Sequence, residues 1–375
     1  MRLALDTTPL LGPRTGVGRY VGSLTRELAA AAQAGDPDEL LGVAFTARGR
    51  RALPGQLPPG FRAVGPPAPA RLLQRVWSRS ELVPVTLLTG RVDVFHATNF
   101  VLPPTGRAAG VVTVHDLSFL RRPGTVTPAS RAYRELVPRS IRRARMVLTP
   151  SRAVAAEVSE AYGLAPDRIA VTHLGVDREW FDAAPPDAGL RRRLGLPERW
   201  FVFVGNLEPR KNLPLLLDAY RALLAQHPDA PGLVLVGPPG WGPALDLRGI
   251  PAQQLVFTGY QTDLELRSLV AGATALVYPT TYEGFGLPPL EAFAAGIPVI
   301  ASDLPVVREV VGDEPGTAVL LPVGDAAALT AALAARLDGD DPAGAAEARR
   351  RRARAFSWAA TAAATRAAYA RALAT

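Results

Sequence analysis

Two carboxylates, Glu283 and Glu291, stand with seven residues between them in the stretch YEGFGLPPLEAFAAGIPVIAS. Pro288 and Pro289 suit the first positions of a helix, which would put Glu291 in the first helical turn. The row of backbone N–H groups at such a helix start could bind a pyrophosphate, and the two carboxylates could accept hydrogen bonds from sugar and ribose hydroxyls. Alternatively, Glu291 only complements the helix dipole.

A second group of candidate residues lies in FVGNLEPRKNLPLL, where Arg210 precedes the only lysine of the chain, Lys211. Chance could leave one lysine in a sequence that otherwise uses arginine. However, a strand, a glycine turn and a helix start are predicted to meet here. A compact ammonium at such a place could reach a phosphate group.

Two histidines and a glycine pair complete the candidates. His96 in VFHATNF and His115 in VVTVHDLSF each end an apolar stretch, and His115, followed by Asp116, is the better candidate, although a lone buried histidine is more often a core residue. Gly16 and Gly18 in RTGVGRY would allow close approach to an anion or a sugar, or would simply form a turn. The stretch lacks the third glycine and the later acidic residue of the dinucleotide fingerprint, which argues against an NAD-dependent enzyme.

Composition excludes several kinds of site. The chain has no cysteine, so it has neither disulfides nor thiolate metal sites, and its four histidines lack metal-ligand spacing. We expect no protein-built metal centre. The first residues do not resemble a signal peptide, and no apolar run reaches the roughly 18 residues of a spanning helix, so the sequence predicts a cytoplasmic protein.

The net charge of +8 belongs to the first half of the chain, because residues 1–190 hold 24 arginines against 16 acidic residues. The stretches 71–80 and 131–147 mix arginine with apolar side chains, which suits a helix touching anionic lipid or a phosphorylated acceptor, or an ordinary solvated helix face. The run ARRRRARAF at 348–356 is interpreted as a solvated helix start. No motif indicates a nucleic-acid partner.

Short apolar stretches alternate with amphipathic ones along the chain, which predicts an α/β protein with parallel sheets covered by helices. The predicted strands are RLALD, LLGVAFTA, VDVFHA, VVTVHD, RMVLTP, IAVTHLG, FVFVG, LVLVG, LVFTG, ALVYP, PVIAS and AVLLP. Because these are too many for one compact sheet, we expect two doubly wound domains that meet at a cleft and divide within 175–200. Loops are predicted at 52–70 and 237–251.

The spacing of the two glutamates resembles that of the retaining glycosyltransferases of family 4, which have the GT-B fold. The segments TGVGRY, VHDLSF, PSRAVAAEV, THLGVD, VGNLEPRKNLPLLLDAY, LVFTGY and FSWAATAAATRAAY follow in the order of that family, so the resemblance covers the whole chain. It implies two Rossmann-like doubly wound domains facing each other across a cleft. An acceptor-binding domain would span 1–180 and a nucleotide-sugar-binding domain 181–355, with a C-terminal helix, 356–375, packed back on the first.

The resemblance also implies roles for individual residues. Glu291 corresponds to the carboxylate that binds the ribose hydroxyls, and Glu283 to the one near the donor sugar. Arg210 and Lys211 correspond to the cations that bind the diphosphate, and His115 to the histidine beside the donor sugar. The implied catalytic residues are His115, Arg210, Lys211 and Glu283. The implied donor-binding residues are Gly16, Gly18, Asn206, Arg210, Lys211, Gly259, Tyr260, Glu283, Gly284, Phe285, Gly286, Leu287 and Glu291. Asn206 is a departure, because many members have arginine there; Arg210 would supply the charge.

The implied function is metal-independent, retaining transfer of a hexose from a nucleoside diphosphate sugar to a hydroxyl, with no further cofactor. Mannose from GDP-mannose is the first expectation, and a UDP- or dTDP-sugar is the alternative. A sugar-nucleotide epimerase or phosphorylase fits the order of motifs poorly, and the intact Glu283, Glu291, Arg210 and Lys211 argue against a catalytically silent partner. The acceptor is not identified, and weak peripheral contact with the inner membrane face is a further expectation.

Overall fold

The chain folds into two compact units. The computed structural model describes residues 1–12, 16–35, 38–65, 76–77, 80, 83–339 and 341–375. Unit 1 comprises Met1–Leu120, Pro128–Gly175 and Ser357–Thr375, and unit 2 comprises Arg121–Thr127 and Val176–Phe356. Unit 1 is therefore completed by residues that follow unit 2 in the sequence.

Unit 1 contains a sheet of seven parallel strands in the order β3-β2-β1-β4-β5-β6-β7. The strands are β1 Arg2–Asp6, β2 Glu39–Val43, β3 Phe61–Val64, β4 Val94–Ala97, β5 Ala109–Thr113, β6 Met146–Thr149 and β7 Ile169–Val171. All residues of β4, β5 and β6 are buried. Their continuous apolar sequences are typical of strands covered on both faces.

Unit 2 contains six parallel strands in the order β10-β9-β8-β11-β12-β13. They are β8 Trp200–Val204, β9 Gly232–Val236, β10 Leu255–Gly259, β11 Ala275–Tyr278, β12 Val299–Ser302 and β13 Ala318–Leu321. The order of strands reverses between β8 and β11, as it does between β1 and β4 in unit 1. Such a reversal is where open parallel sheets bind ligands, at the carboxyl ends of the strands.

Helices cover the sheets. In chain order the described helices are α1 Gly16–Gln33, α2 Ala47–Ala52, α3 Thr86–Thr89, α4 Ser118–Arg121, α5 Pro128–Arg131, α6 Tyr133–Arg143, α7 Arg152–Tyr162, α8 Ala188–Leu194, α9 Leu213–Gln226, α10 Asp263–Ala271, α11 Leu287–Ala295, α12 Pro305–Val311, α13 Ala326–Ala334, α14 Ala345–Arg354 and α15 Trp358–Ala374. Short 3-10 helices occupy Thr8–Leu11, Leu53–Gly55, Pro123–Thr125, Pro166–Arg168, Arg178–Trp180, Pro209–Lys211 and Ala252–Gln254. No described helix is long and apolar enough to cross a membrane.

The last helix, α15, packs on the sheet of unit 1. The Thr361 hydroxyl donates to the carbonyl oxygen of His173 at 2.6 Å, and Arg366 forms an ion pair with Asp38 at 2.9 Å. Tyr369 is fully buried. These contacts make α15 a part of the unit 1 core rather than an exposed tail.

One predicted loop was wrong. Residues 52–70 were expected to lack strands, but Phe61–Val64 forms β3, which pairs with β2 alone in the part of the chain that the structure describes. Residues 66–70 of this predicted loop lie outside that part. An edge strand of four partly exposed residues has no buried apolar run for the sequence to show. The other predicted loop, 237–251, has neither helix nor strand beyond one bridge between Leu207 and Pro239.

The arginine run at 348–356 was interpreted as solvated, and this was wrong for Arg349. Its side chain is fully buried. It donates to the carbonyl oxygens of Gly296 at 2.9 Å and Thr317 at 2.8 Å, and it pairs with Asp341. Arg350 donates to the carbonyl oxygen of Ala295. Both arginines thus bind the C-terminal end of α11, where the helix dipole favours positive charge.

Candidate functional site

The candidate site lies where the strand order of unit 2 reverses. β8 ends at Val204, and the 3-10 turn after it presents Arg210 and Lys211. The neighbouring β11 leads into the loop that carries Glu283. The two loops are joined because the backbone N–H of Thr281 donates to the carbonyl oxygen of Arg210 at 2.8 Å. Arg210 and Glu283, which are 73 positions apart in the sequence, are thereby held close together.

Glu283 bridges the two cations. Lys211 Nζ lies 2.6 Å from Glu283 Oε1, and Arg210 Nη1 lies 2.8 Å from Glu283 Oε2. Arg210 also donates to Glu208 through Nε. The side chains of Lys211 and Glu283 are only 8% and 7% exposed. Two cations and two carboxylates therefore form one largely buried network, in which each charge is fixed by its partners.

Burial and charge act in opposite directions on this network. Burial lowers the pKa of Lys211, although the Glu283 carboxylate favours the ammonium. Burial alone would raise the pKa of Glu283, but the charges of Arg210 and Lys211, with the hydrogen bonds to Lys211 and Tyr278, outweigh it and lower that pKa. Glu283 is therefore a carboxylate near neutral pH and can only accept hydrogen bonds.

The helix that carries Glu291 begins earlier than expected. α11 starts at Leu287, with Gly286 before it at φ +107°, so Glu291 is its fifth residue and lies in the second turn. The predicted place in the first turn was wrong. The predicted row of N–H groups is also shorter, because Pro288 and Pro289 have no N–H; the donors of this turn are Leu287 and the loop before it. The side chain of Glu291 is buried, with 2% exposure.

The remaining predicted donor residues of unit 2 lie on the same edge of its sheet. Phe285 is buried and packs against the ring of Phe356, with ring centres 5.9 Å apart. Gly259, the last residue of β10, has φ +68°, and the next residue, Tyr260, is 57% exposed. Gly237 donates its N–H to the carbonyl oxygen of Gly259. Gly284 and Gly286 are buried, and Asn206 is partly exposed.

The predicted site residues of unit 1 lie at the carboxyl edge of its sheet. His115 Nε2 is 2.8 Å from the carbonyl oxygen of Thr98, and its ring contacts Tyr20 edge-on at 5.2 Å between centres. Burial lowers the pKa of His115, so its ring is neutral at pH 7. Gly16 begins α1 with open space where a Cβ would lie, and Gly18 is buried in the first turn.

His96 belongs to the core instead. Its Nδ1 is 2.7 Å from the hydroxyl of Tyr369, and its Nε2 is 2.8 Å from Thr113 Oγ1. The Tyr20 hydroxyl lies 3.1 Å from the same Thr113 oxygen. Burial lowers the pKa of His96 to about 3. These four side chains form a buried neutral network that connects α15, β4, β5 and α1.

Two residues of the unit 2 network were missed by the sequence analysis. Glu208 is buried beside Arg210, and the hydroxyl of Tyr278 accepts a hydrogen bond from Lys211 Nζ at 3.2 Å. A signal for Tyr278 exists, since it stands just before the proline that ends the predicted strand ALVYP, and its hydroxyl could reach beyond the strand end. Glu208 carries no such signal.

Family models match both halves of the chain. The model described as Glycosyltransferase Family 4 matches residues 14–180, and the model described as Glycosyl transferases group 1 matches residues 198–338. The O-antigen chain mannosyltransferase B of Escherichia coli is 30% identical over 333 residues, which cover 84% of this chain and 85% of that protein. The chain is a family 4 glycosyltransferase. The resemblance found in the sequence is thereby confirmed.

Other relatives of this family 4 glycosyltransferase agree. A D-inositol 3-phosphate glycosyltransferase of Acidothermus cellulolyticus is 31% identical over 348 residues, or 80% of this chain and 74% of that protein. Anabaena HepE, solved in complex with UDP, superposes with a TM-score of 0.67 at 19% identity, covering 98% of both chains. WaaG, described as a glycosyltransferase involved in lipopolysaccharide biosynthesis, has a TM-score of 0.67 at 17% identity and covers 98% of both chains. The predicted GT-B fold, with two Rossmann-like domains, is confirmed.

Two expectations concern surfaces and metals of the glycosyltransferase. In 131–147, α6 buries Val137 and Ile141 and exposes Arg134 and Arg142, so one face packs and the other is basic. Most of the other basic stretch, 71–80, lies outside the described residues. Within the described ranges, no three histidine, aspartate or glutamate side chains are grouped so that they could hold a metal ion.

Proposed function

We propose that this glycosyltransferase is a retaining enzyme that transfers mannose from GDP-mannose to a hydroxyl acceptor. The observation that carries the proposal is the fixed pair of cations, Arg210 and Lys211, at the strand reversal of unit 2. Mannose is favoured because the E. coli relative and a relative from Mycolicibacterium hassiacum, 31% identical over 250 residues, are both named as mannosyltransferases.

In this proposal the unit 2 site binds the donor. Arg210 and Lys211 would bind the diphosphate, the planar fork of Arg210 matching two phosphate oxygens and Lys211 acting as a point charge. Buried Glu291 would accept hydrogen bonds from the ribose hydroxyls. Glu283 would orient both cations and face the donor sugar. The family resemblance also implies a role for His115 of unit 1 in the transfer.

The transfer step rests on stabilising the leaving group. The bond between the anomeric carbon and the diphosphate oxygen breaks while an oxocarbenium-like centre forms, and the two cations stabilise the negative charge that develops. The acceptor hydroxyl attacks from the face that the diphosphate leaves, and its proton passes to a phosphate oxygen. No carboxylate pair of the retaining-hydrolase kind was evident in the sequence, so a covalent sugar–enzyme intermediate is not part of this proposal.

A UDP-sugar is the alternative donor. Anabaena HepE binds UDP in its solved structure, and the cation pair would hold any nucleoside diphosphate. The choice between bases therefore depends on residues around the base rather than on Arg210 and Lys211.

Thermal-shift measurements with GDP, UDP and dTDP and their hexose derivatives test the donor, because a ligand raises the melting temperature by an amount that grows with its affinity. We expect GDP-mannose to stabilise most. NMR of the product should then show the anomeric configuration of the donor. If only UDP-sugars stabilise the protein, the donor is a UDP-sugar rather than GDP-mannose. A product with inverted anomeric configuration would overturn the retaining mechanism.

The same cation pair supports the proposal that the enzyme needs no metal ion. Arg210 and Lys211 would neutralise the diphosphate charge that a divalent ion neutralises in metal-dependent enzymes. Turnover in EDTA should equal turnover in Mg²⁺ or Mn²⁺. Loss of turnover in EDTA that either ion restores would contradict this.

Weak contact with an anionic membrane is proposed for the basic face of α6. Each basic residue near such a surface contributes about 1 kcal/mol, which salt screens. Cosedimentation with phosphatidylglycerol vesicles at low salt should exceed that with neutral vesicles and disappear at high salt. Equal recovery with both vesicle types would show that this face is only solvated.

A further inference from the structure

Tyr278 lies between the sheet of unit 2 and its ion network. It is the last residue of β11 and is 1% exposed. Its hydroxyl accepts a hydrogen bond from Lys211 Nζ at 3.2 Å, and Lys211 Nζ lies 5.0 Å from the centre of its ring. The ammonium therefore has two fixed contacts, the Glu283 carboxylate and the Tyr278 side chain.

The space around the lysine stem suits lysine. Gly205 has φ +149°, and a Cβ added there would lie 3.4 Å from Lys211 Cε and 3.8 Å from Nζ. A methyl group at Gly205 would thus be in ordinary van der Waals contact with the stem, and the positive φ itself disfavours a side chain there. The planar guanidinium of an arginine is broader than an ammonium and needs five donors satisfied. Gly205 and the Tyr278 ring therefore both lie close to the end of the lysine side chain, a place that suits a compact charge on a flexible stem.

We propose that Tyr278 is a positioning residue that holds the Lys211 ammonium in place for the leaving diphosphate. Its hydroxyl limits rotation about the last bonds of the lysine, and its ring lies 5.0 Å from the ammonium nitrogen. Arg210 has no part in this contact, since it reaches Glu283 from the other carboxylate oxygen. The proposal deepens the proposed function, on which its kinetic part rests, but its structural part is independent of any donor.

Lys211 is the only lysine of the chain, so protein labelled with [ε-¹³C]lysine gives a single side-chain NMR signal. In Tyr278→Phe we expect the titration midpoint of this signal to shift, because the hydroxyl that contacts both the ammonium and the Glu283 carboxylate is gone. Glu283, Arg210 and Glu208 are the charged groups that act on Lys211, and all three remain. In wild type, slowly exchanging ammonium protons should show contacts to a tyrosine ring.

Tyr220→Phe is the matched control. Tyr220 is a fully buried tyrosine of the same unit, and its hydroxyl donates to the carbonyl oxygen of Pro231. Its loss should lower the melting temperature but leave the Lys211 signal unchanged. If both variants shift that signal equally, or neither does, the positioning role is wrong. Fast-exchanging ammonium protons in wild type would also overturn it, even if Tyr278→Phe does not fold.

Kinetics supply the second readout. Tyr278→Phe should lower kcat about tenfold, the usual effect of losing a hydrogen bond to a charged group, while the donor KM stays within about twofold. In a Lys211→Met background the same change should cause no further loss. An equal loss in both backgrounds would show a general structural effect. If wild type turns over no donor, the proposed function fails, and the NMR experiment still decides the role of Tyr278.

Discussion

The two units share one strand order but differ in the chemistry at its reversal. Beside the reversal of unit 1, β4, β5, α1 and α15 carry a neutral network of His96, Thr113, Tyr20 and Tyr369, with His115 next to it. Between β8 and β11, unit 2 places an ion network centred on Glu283. The same backbone arrangement thus carries hydrogen-bonded neutral groups in one unit and charges in the other, so function resides in the loops rather than in the sheets.

The largest expected effect is the loss of the lysine. Lys211→Ala should lower kcat/KM by the equivalent of about 2–4 kcal/mol, comparable to removing one preorganised donor to a developing anion. Folding should survive, because Glu283 keeps Arg210 as its partner. Steady-state donor kinetics and melting temperatures measure this, with Arg248→Ala as an exposed control cation in the same unit. Near-wild-type kinetics for Lys211→Ala would mean that Lys211 has no catalytic role and that the single lysine is there by chance.

Acid should weaken unit 1 before unit 2. The pKa of His96 is about 3 in the folded chain and about 6.5 when unfolded. Below pH 6.5 the unfolded state therefore binds a proton that the folded state excludes, and the free energy of unfolding falls by about 1.4 kcal/mol per pH unit. The lowered pKa of Glu283 reduces the free energy of unfolding only below the unfolded value of 4.5. Unit 2 therefore keeps the stabilisation from Glu283 at pH 5.

Urea unfolding at pH 7.5, 6.0 and 5.0 checks this difference. At each urea concentration, a pulse of hydrogen exchange at one fixed pH, read by mass spectrometry, reports the unfolded fraction of each unit. Unit 1 should lose about 2 kcal/mol between pH 6.5 and pH 5 from His96 alone. Equal losses in both units would remove the contrast between the neutral and the charged network.

A smaller effect is expected for Lys211→Arg. The charge is kept, but a planar guanidinium cannot put it at the point where the ammonium contacts Glu283 and Tyr278. We expect kcat/KM to fall about tenfold, which corresponds to about 1.4 kcal/mol. The kinetics of Lys211→Arg are compared with those of Lys211→Ala under the same conditions. If Lys211→Arg has wild-type turnover, only the charge matters at this position.

The smallest effect belongs to the neutral network. Tyr369→Phe removes one hydrogen bond to His96 and should lower the free energy of unfolding by about 1 kcal/mol. Donor affinity, measured by calorimetry with a nucleoside diphosphate, should not change, because the donor residues of unit 2 are untouched. A weaker donor affinity in this variant would mean that the network of unit 1 serves more than stability.

The sequence predicted most of the fold because buried parallel strands appear as apolar runs. β3 was missed because it is an edge strand with little buried surface. The burial of Arg349 could not be predicted, since its partners are carbonyl groups that only the folded chain brings to it. For the same reason, the contact between Lys211 and Glu283, 72 residues apart, does not follow from local patterns. The prediction from the two prolines put Glu291 in the wrong helical turn, because α11 begins one residue before them.

The position of α15 has a consequence for the order of folding during synthesis. Unit 2 is nearly continuous in the chain, at 176–356, whereas unit 1 needs Ser357–Thr375. A ribosome therefore delivers all of unit 2 before the helix that covers β4 to β7 emerges. We expect the nascent second unit to become resistant to protease first, while the first unit stays open and dependent on chaperones until Tyr369 reaches His96.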